Sequence, residues 1–147
     1  KFKKETNAKK LLLAANFSGK AISISSTGAP HALSYLFSTH FGLSHGHSVS
    51  LNSMKVIKFN YLNQNKDKVL KKRLKILFNS LKCRNYFEFE KKLSNIIKNI
   101  RLEQNFKKLK INQKKLLKLK KFINPKRLKN NIIKISSQDI DNILFKR

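Results

Sequence analysis

The chain has 147 residues, of which 40% are hydrophobic, and its formal net charge is +27. This length suits one domain with a modest core, and the hydrophobic fraction excludes a disordered tail. The single cysteine, Cys83, excludes an intrachain disulfide and a cysteine-rich zinc framework. It fits a reducing compartment, so we expect a cytoplasmic protein. No apolar run approaches the roughly 20 residues that cross a membrane as a helix.

Helical patterns follow one another along the chain, with only four glycines and two prolines to interrupt them. Hydrophobic spacing and end signals predict helices over about 3–18, 29–39, 45–62, 67–81, 86–101, 113–123 and 136–146. Pro30 suits a first helical turn, Gly42 suits a helix end, and Ser44 suits a cap. Two short segments, AISIS (21–25) and NNIIKIS (130–136), could instead be extended. The predicted class is an all-α helical bundle without internal repeats.

The start of the chain indicates a piece of something longer. It opens on Lys1 without an initiator methionine, and KFKKETNAKKLLLAANFSGKA reads as a helix already under way. Natural proteins rarely begin in this way. We therefore expect residues 1–147 to form a single helical domain from the C-terminal part of a longer protein.

The positive charge is spread rather than concentrated. Residues 1–50 carry six lysines and one glutamate, and the remaining lysines alternate with leucine, isoleucine and phenylalanine, as in KKRLKILFNSLK. This alternation is typical of the solvated faces of amphipathic helices. Lysine also greatly outnumbers arginine, whereas planar phosphate contacts favour arginine. We favour biased surface lysines, and a basic helical module that binds nucleic acid or another polyanion remains the alternative.

All four histidines lie within HALSYLFSTHFGLSHGH, residues 31–47. His31 and His45 each fall in the first turn of a predicted helix. A helix from 31 to 38 rises about 10 Å, and the six residues after it can return up to about 20 Å, so the two rings could converge. Neutral imidazoles suit divalent transition metals, but catalytic sites usually have three or more protein ligands. Spacing alone therefore favours histidines that make caps or local hydrogen bonds.

A resemblance to a known family favours the metal-ligand interpretation of His31 and His45 over the structural one. The segment AANFSGKAISISSTGAPHALSYLFSTHFGLSHGHSVSLNSMKVIKFN resembles the histidine-bearing segment of the iron-containing (group III metal-dependent) alcohol dehydrogenases. That family shows a small-residue lead, a histidine, thirteen residues and a His-Gly dipeptide that opens a helix ending in asparagine. The matching residues here are Ala15, Gly19, Ala21, His31, His45, Gly46 and Asn60. The tail also resembles the ending of the family, through Arg127, Asn130, Asn131 and Asp139.

The resemblance implies a fold and a set of cofactors. The fold would be the C-terminal helical domain of the dehydroquinate synthase-like and iron-containing alcohol dehydrogenases, preceded by a nucleotide-binding α/β domain. The metal, Fe(II) or Zn(II), would be held by an aspartate and three histidines, and His31 and His45 match the last two histidines. The other two ligands would lie upstream of Lys1. NAD(P) would be bound mainly by the missing N-terminal domain, so we expect no turnover by the chain alone.

Two positions bear on the substrate. Many members of the family have a histidine four residues after the first of this pair; here the residue is Tyr35, a candidate catalytic residue whose hydroxyl can donate to the reacting oxygen. The combination APHALSY and HGH resembles most closely the phosphonoacetaldehyde reductase (2-hydroxyethylphosphonate dehydrogenase) branch, which would reduce a small anionic aldehyde. His47 is a candidate substrate-binding residue, with a helix-surface role as its alternative. We expect His40 to be structural.

The sequence also bears on the binding partners of the chain and on the role of Cys83. The family implies a homo-oligomer at full length, and a solitary helical domain that pairs with a separately encoded nucleotide-binding subunit is a further alternative. Cys83 lies at a predicted helix end with no histidine near it in sequence. We expect it to be a half-buried packing residue rather than a nucleophile.

Overall fold

The computed structural model describes residues 4–145, and helices make up all of its regular secondary structure in that range. No strand occurs between residues 4 and 145, so the predicted all-α class is confirmed. Two three-residue 3₁₀ turns, Gln64–Lys66 and Lys120–Phe122, join neighbouring helices. The helices are α1 (Glu5–Ser25), α2 (Ala29–Phe41), α3 (His45–Leu62), α4 (Lys68–Ser80), α5 (Tyr86–Asn99), α6 (Gln113–Leu119), α7 (Pro125–Lys129) and α8 (Ser137–Phe145).

The helical hairpin of α2 and α3 is the centre of the fold. Gly42 ends α2 in the left-handed conformation at φ 67°, as predicted, and the Leu43 N–H donates back to the Phe37 carbonyl over 3.4 Å. Ser44 occupies the predicted N-cap position of α3, but its side chain makes no capping hydrogen bond. This tight reversal packs α3 directly along α2. The first turn of α3, with His45, thereby lies beside the first turn of α2, with His31.

Two clusters of buried side chains form the core. The main cluster surrounds the inner face of α2 and draws on α3, α6 and α8; its fully buried members include Ala29, Ala32, Leu33, Leu36, Phe37, Leu116 and Leu144. The second cluster lies between α4 and α5 and contains Leu70, Leu74, Phe78, Cys83, Tyr86 and Phe89. Cys83 is only 4% exposed, so it packs more deeply than the half-buried position that the sequence suggested.

The prediction that residues 21–25 could be extended is wrong. Helix α1 continues through AISIS to Ser25, well past the predicted end at 18. The serine hydroxyls of Ser23 and Ser25 donate to the carbonyls of Lys20 and Ala21, both over 2.8 Å, and so are satisfied within the helix. An isolated extended segment has no strand partner for its backbone groups, whereas a helix satisfies them locally. Residue 3, where the helix was predicted to begin, lies outside the described residues.

The C-terminal third contains one helix that the sequence did not predict. The predicted helix 113–123 gives way after Leu119 to a 3₁₀ turn, and a further short helix, α7, begins at Pro125. The Asn124 carboxamide oxygen caps α7 by accepting from the N–H groups of Lys126 and Arg127, at 3.0 and 3.2 Å. Proline suits a first helical turn because that position needs no N–H donor.

The segment 130–136, the other candidate for extended structure, is irregular and forms no strand. The side-chain amides of Asn60 and Asn131 hydrogen-bond to each other in both directions, at 3.0 and 2.9 Å. This pair fastens the segment to the end of α3. Helix α8 then begins behind a reciprocal bond in which Ser136 donates to the Asp139 carboxylate and accepts from the Asp139 N–H. Residue 146, its predicted end, lies outside the described range.

Lys55 of α3 is a cation held against the main cluster. Its ammonium Nζ donates to the Leu144 carbonyl over 2.7 Å and lies 4.4 Å from the centre of the Phe106 ring. Burial disfavours the charged form and lowers the pKa of this amine from 10.5 to about 8. Lys55 therefore titrates in the folded chain at a pH where it stays protonated in the unfolded chain.

This difference predicts a pH-dependent stability. Between about pH 8 and 10 the folded state has released a proton that the unfolded state retains, so the Lys55 contribution to the free energy of unfolding should rise by about 2 kcal/mol. Urea unfolding at both pH values should show a smaller rise for Lys55→Met than for the wild type. Lys71→Met, which removes an exposed lysine of α4, is the matched control. An unchanged rise in Lys55→Met would contradict the prediction.

Candidate metal centre

His31 and His45 lie side by side at the starts of α2 and α3. Their ring centroids are 5.3 Å apart, with an angle of 49° between the ring planes. Imidazoles bind a tetrahedral ion at about 2.0–2.1 Å, which places the centres of two neighbouring ligand rings about 5 Å apart. The separation of the two histidines therefore fits two neighbouring ligands of a single ion.

The packing of α3 against α2 holds the two histidines side by side. The residues that follow His31, Ala32 and Leu33, are fully buried, which fixes the rotation of α2 about its axis. The His31 carbonyl accepts a hydrogen bond from the Ser34 hydroxyl at 2.8 Å, within the same turn. Because the chain reverses at Gly42, fourteen residues of sequence separation become one ring contact.

The electrostatic surroundings of His31 lower the pKa of its ring. The pKa of His31 is lowered, first by partial burial and then by the positive charges of His45 and Arg127. Only the neutral ring offers a lone pair to a metal, so the lowered pKa helps a divalent ion compete with the proton. Within residues 4–145, however, no group of three or more His, Cys, Asp or Glu side chains stands ready to hold an ion. The described part of the chain thus brings two imidazole rings together without a third such side chain beside them.

Tyr35 lies beside the histidine pair. Its ring centroid is 6.3 Å from that of His45, and the residue is 39% exposed. Its hydroxyl accepts a hydrogen bond from Nη1 of Arg127, and the guanidinium carbon lies 4.7 Å from the centre of the Tyr35 ring. The hydroxyl proton is therefore free to point away from Arg127, towards a ligand beside the histidine pair.

The other two histidines face elsewhere. His47 follows His45 by two residues, which turns it about 200° around the helix axis, and its Nε2 lies 2.6 Å from the Glu103 carbonyl in the loop after α5. His40 packs its ring against Phe122, with 5.6 Å between centroids. The substrate-binding role of His47 stays a prediction, and its observed contact ties α3 to that loop.

Arg127 is the residue of this site that sequence reasoning missed. It was noticed only as part of the tail that resembles the family, and it lies 92 residues from Tyr35 along the chain. No local pattern links two residues so far apart. The short helix α7, which the sequence also failed to predict, is what carries Arg127 to the edge of α2.

Comparisons with known proteins place the chain in a family. The family model described as Fe-containing alcohol dehydrogenase family, C-terminal, matches residues 2–147. No curated protein and no solved structure matches the chain. Among residues 4–145, no helix is both long and apolar enough to traverse a lipid bilayer. With its histidine pair at the starts of two adjoining helices and a family match over nearly its whole length, the chain belongs to the Fe-containing alcohol dehydrogenase family and corresponds to its C-terminal part.

Proposed function

We propose that the chain supplies two metal ligands, His31 and His45, to a metal- and NAD(P)-dependent alcohol dehydrogenase. The observation that carries this proposal is the 5.3 Å between the two imidazole centroids, which suits two neighbouring ligands of one ion. Family membership supports it, because the Fe-containing alcohol dehydrogenases are, as a family, oxidoreductases that use a metal and NAD. Fe(II) and Zn(II) are two of the divalent ions that imidazole ligands suit, and the family resemblance favours them here.

Each residue of this site then has a chemical role. When bound, a divalent ion would supply Lewis-acid chemistry at the carbonyl oxygen of an aldehyde. His31 and His45 hold and orient that ion as neutral rings. Tyr35 donates its hydroxyl proton to a hydrogen bond with the reacting oxygen, while Arg127 fixes the hydroxyl from the other side. The nicotinamide cofactor is bound mainly by a nucleotide-binding part outside this chain, so the chain alone should show no turnover.

The substrate that suits this site is a small aldehyde with an anionic group. The motif resemblance suggests phosphonoacetaldehyde as an example. Arg127 supports an anion here, because its positive charge lies beside Tyr35 and the histidine pair. The nucleotide-binding part is either the N-terminal domain of the same protein or a separate subunit. We propose a homo-oligomer of the full-length enzyme. A cytoplasmic location is a proposal that rests on the single Cys83.

Metal titration followed by NMR tests the proposal within one molecule. On addition of Zn(II), the ring resonances of His31 and His45 should shift together with a single midpoint. Those of His40 and His47 are internal controls, because their rings contact Phe122 and the Glu103 carbonyl instead. Four histidines that respond alike, or none that responds, would count against a metal centre at the start of α2 and α3.

The alternative function, a basic module for polyanions, is favoured by one feature. The side chains of Lys68, Lys71, Lys72, Lys75 and Arg84 line a common groove beside α4. Neutralising phosphates with these side chains would make binding to nucleic acid fall steeply with salt, independently of sequence. Titration of a duplex at several salt concentrations distinguishes the two functions, because a steep slope without selective metal binding favours the polyanion module.

A further inference from the structure

Arg127 lies at the edge of the histidine pair, one aromatic ring away from it. Its guanidinium carbon is 4.7 Å from the centre of the Tyr35 ring, and that ring is 6.3 Å from His45. Nη1 donates to the Tyr35 hydroxyl. A substrate beside the two imidazoles would therefore meet the guanidinium on the side of Tyr35.

Both ends of the short helix that carries Arg127 are fastened. At its start, the Asn124 carboxamide oxygen accepts from the Arg127 N–H at 3.2 Å. At its end, Nδ2 of Asn130 donates to the Thr27 carbonyl at 2.9 Å, in the turn that precedes α2. The first bond stabilises the start of α7, and the second joins its end to the turn before α2. The backbone of Arg127 is therefore held before any ligand arrives, and such preorganisation lowers the entropy lost on binding.

The charge of Arg127 has no carboxylate partner in the described part of the chain. Four ion pairs occur between residues 4 and 145, and Arg127 takes part in none of them. Its guanidinium donates to the Tyr35 hydroxyl, a neutral acceptor. A guanidinium has five N–H donors in a planar fork, and this fork matches the oxygens of carboxylates, phosphates and phosphonates.

We propose that Arg127 is the specificity-determining residue of this site and binds an oxyanionic group on the substrate while the aldehyde end faces His31 and His45. The inference rests on the proposed function for its substrate class, an aldehyde or alcohol with a phosphonate or carboxylate group. The Tyr35 hydroxyl accepts one N–H of the guanidinium, whose carbon lies 4.7 Å from the ring centre, and this leaves the other donors for the anion. A lysine at this position would supply charge without the planar fork.

Binding of methylphosphonate to the 147-residue chain tests the inference directly, with phosphorus NMR as the measurement. We expect Arg127→Gln to weaken binding roughly tenfold, as loss of a charge-assisted bidentate contact does. Lys126→Gln is the matched control, because it removes the same charge from the neighbouring exposed position of α7. It should change the affinity by less than about twofold, since an exposed charge is screened over a Debye length of about 8 Å.

Two further measurements separate loss of the anion contact from misfolding and from loss of the metal site. Arg127→Lys retains the charge and should bind methylphosphonate with an affinity between those of the wild type and Arg127→Gln. Such a value would assign the defect of Arg127→Gln to the lost guanidinium rather than to misfolding. Zinc titration of the Arg127→Gln chain should still shift the rings of His31 and His45 together, because Arg127 is not a ligand. Equal weakening in Arg127→Gln and Lys126→Gln, or no methylphosphonate binding by the wild type, overturns the inference. Loss of metal binding in all chains, with selective anion binding intact, instead overturns the proposed function.

Discussion

Replacing both His31 and His45 by alanine is expected to lower the affinity of the chain for Zn(II) by more than about 100-fold. Removal of an outer-shell partner of a metal ligand already costs roughly 10–100-fold, and here both nitrogen ligands disappear. The two rings share one place in the fold, with centroids 5.3 Å apart. Competition with a chromophoric chelator measures the affinity.

Two other histidines of α2 and α3 provide controls for the double variant. His40→Ala and His47→Ala remove the same type of side chain from the same helical hairpin, and neither should change Zn(II) affinity by more than about twofold, because neither ring belongs to the pair. His47→Ala should instead cost about 1 kcal/mol of stability through its lost bond to the Glu103 carbonyl. Zinc affinity that falls as much in the His47 variant as in the His31/His45 double variant would mean that the binding site lies elsewhere.

Phe37→Ala is expected to lower the free energy of unfolding by about 3–5 kcal/mol, the range for truncating a buried phenylalanine. Phe37 is fully buried, and its ring lies 5.6 Å from that of Phe106 and 6.3 Å from that of Phe41. Truncation would leave a cavity between α2 and the segment that follows α5. Domain stabilities are about 5–15 kcal/mol, so the loss should be a large share of the total. Urea unfolding followed by circular dichroism measures it.

Phe17→Ala is the matched control for this substitution. Phe17 lies on α1, is 60% exposed and belongs to a helix without a single buried residue. The same change of side chain there should alter the free energy of unfolding by less than about 0.5 kcal/mol. Equal losses in the two variants would contradict the assignment of the core to the inner face of α2.

Helices α4 and α5 were predictable almost to the residue because their signals are local. Each has a strong 3.6-residue alternation of lysine and apolar residues, and each starts behind a side chain that caps it: Asp67 accepts from the Leu70 N–H, and Asn85 accepts from the Glu88 N–H. The end of α1 was not predictable in this way. Gly19 lies inside α1, where a glycine costs only about 1 kcal/mol, and the helix continues through it to Ser25.

Local signals were enough to predict that the chain is helical, that α2 ends at Gly42, and that His31 and His45 fall in first helical turns, because each of these depends on residues within a few positions of one another. The motif resemblance likewise identified the family from contiguous residues. The contact between Arg127 and Tyr35, 92 residues apart, and the contact of His47 with the Glu103 carbonyl could be seen only in the folded molecule. Such contacts depend on how buried faces pack against one another, and that packing is a property of the whole core rather than of any short segment.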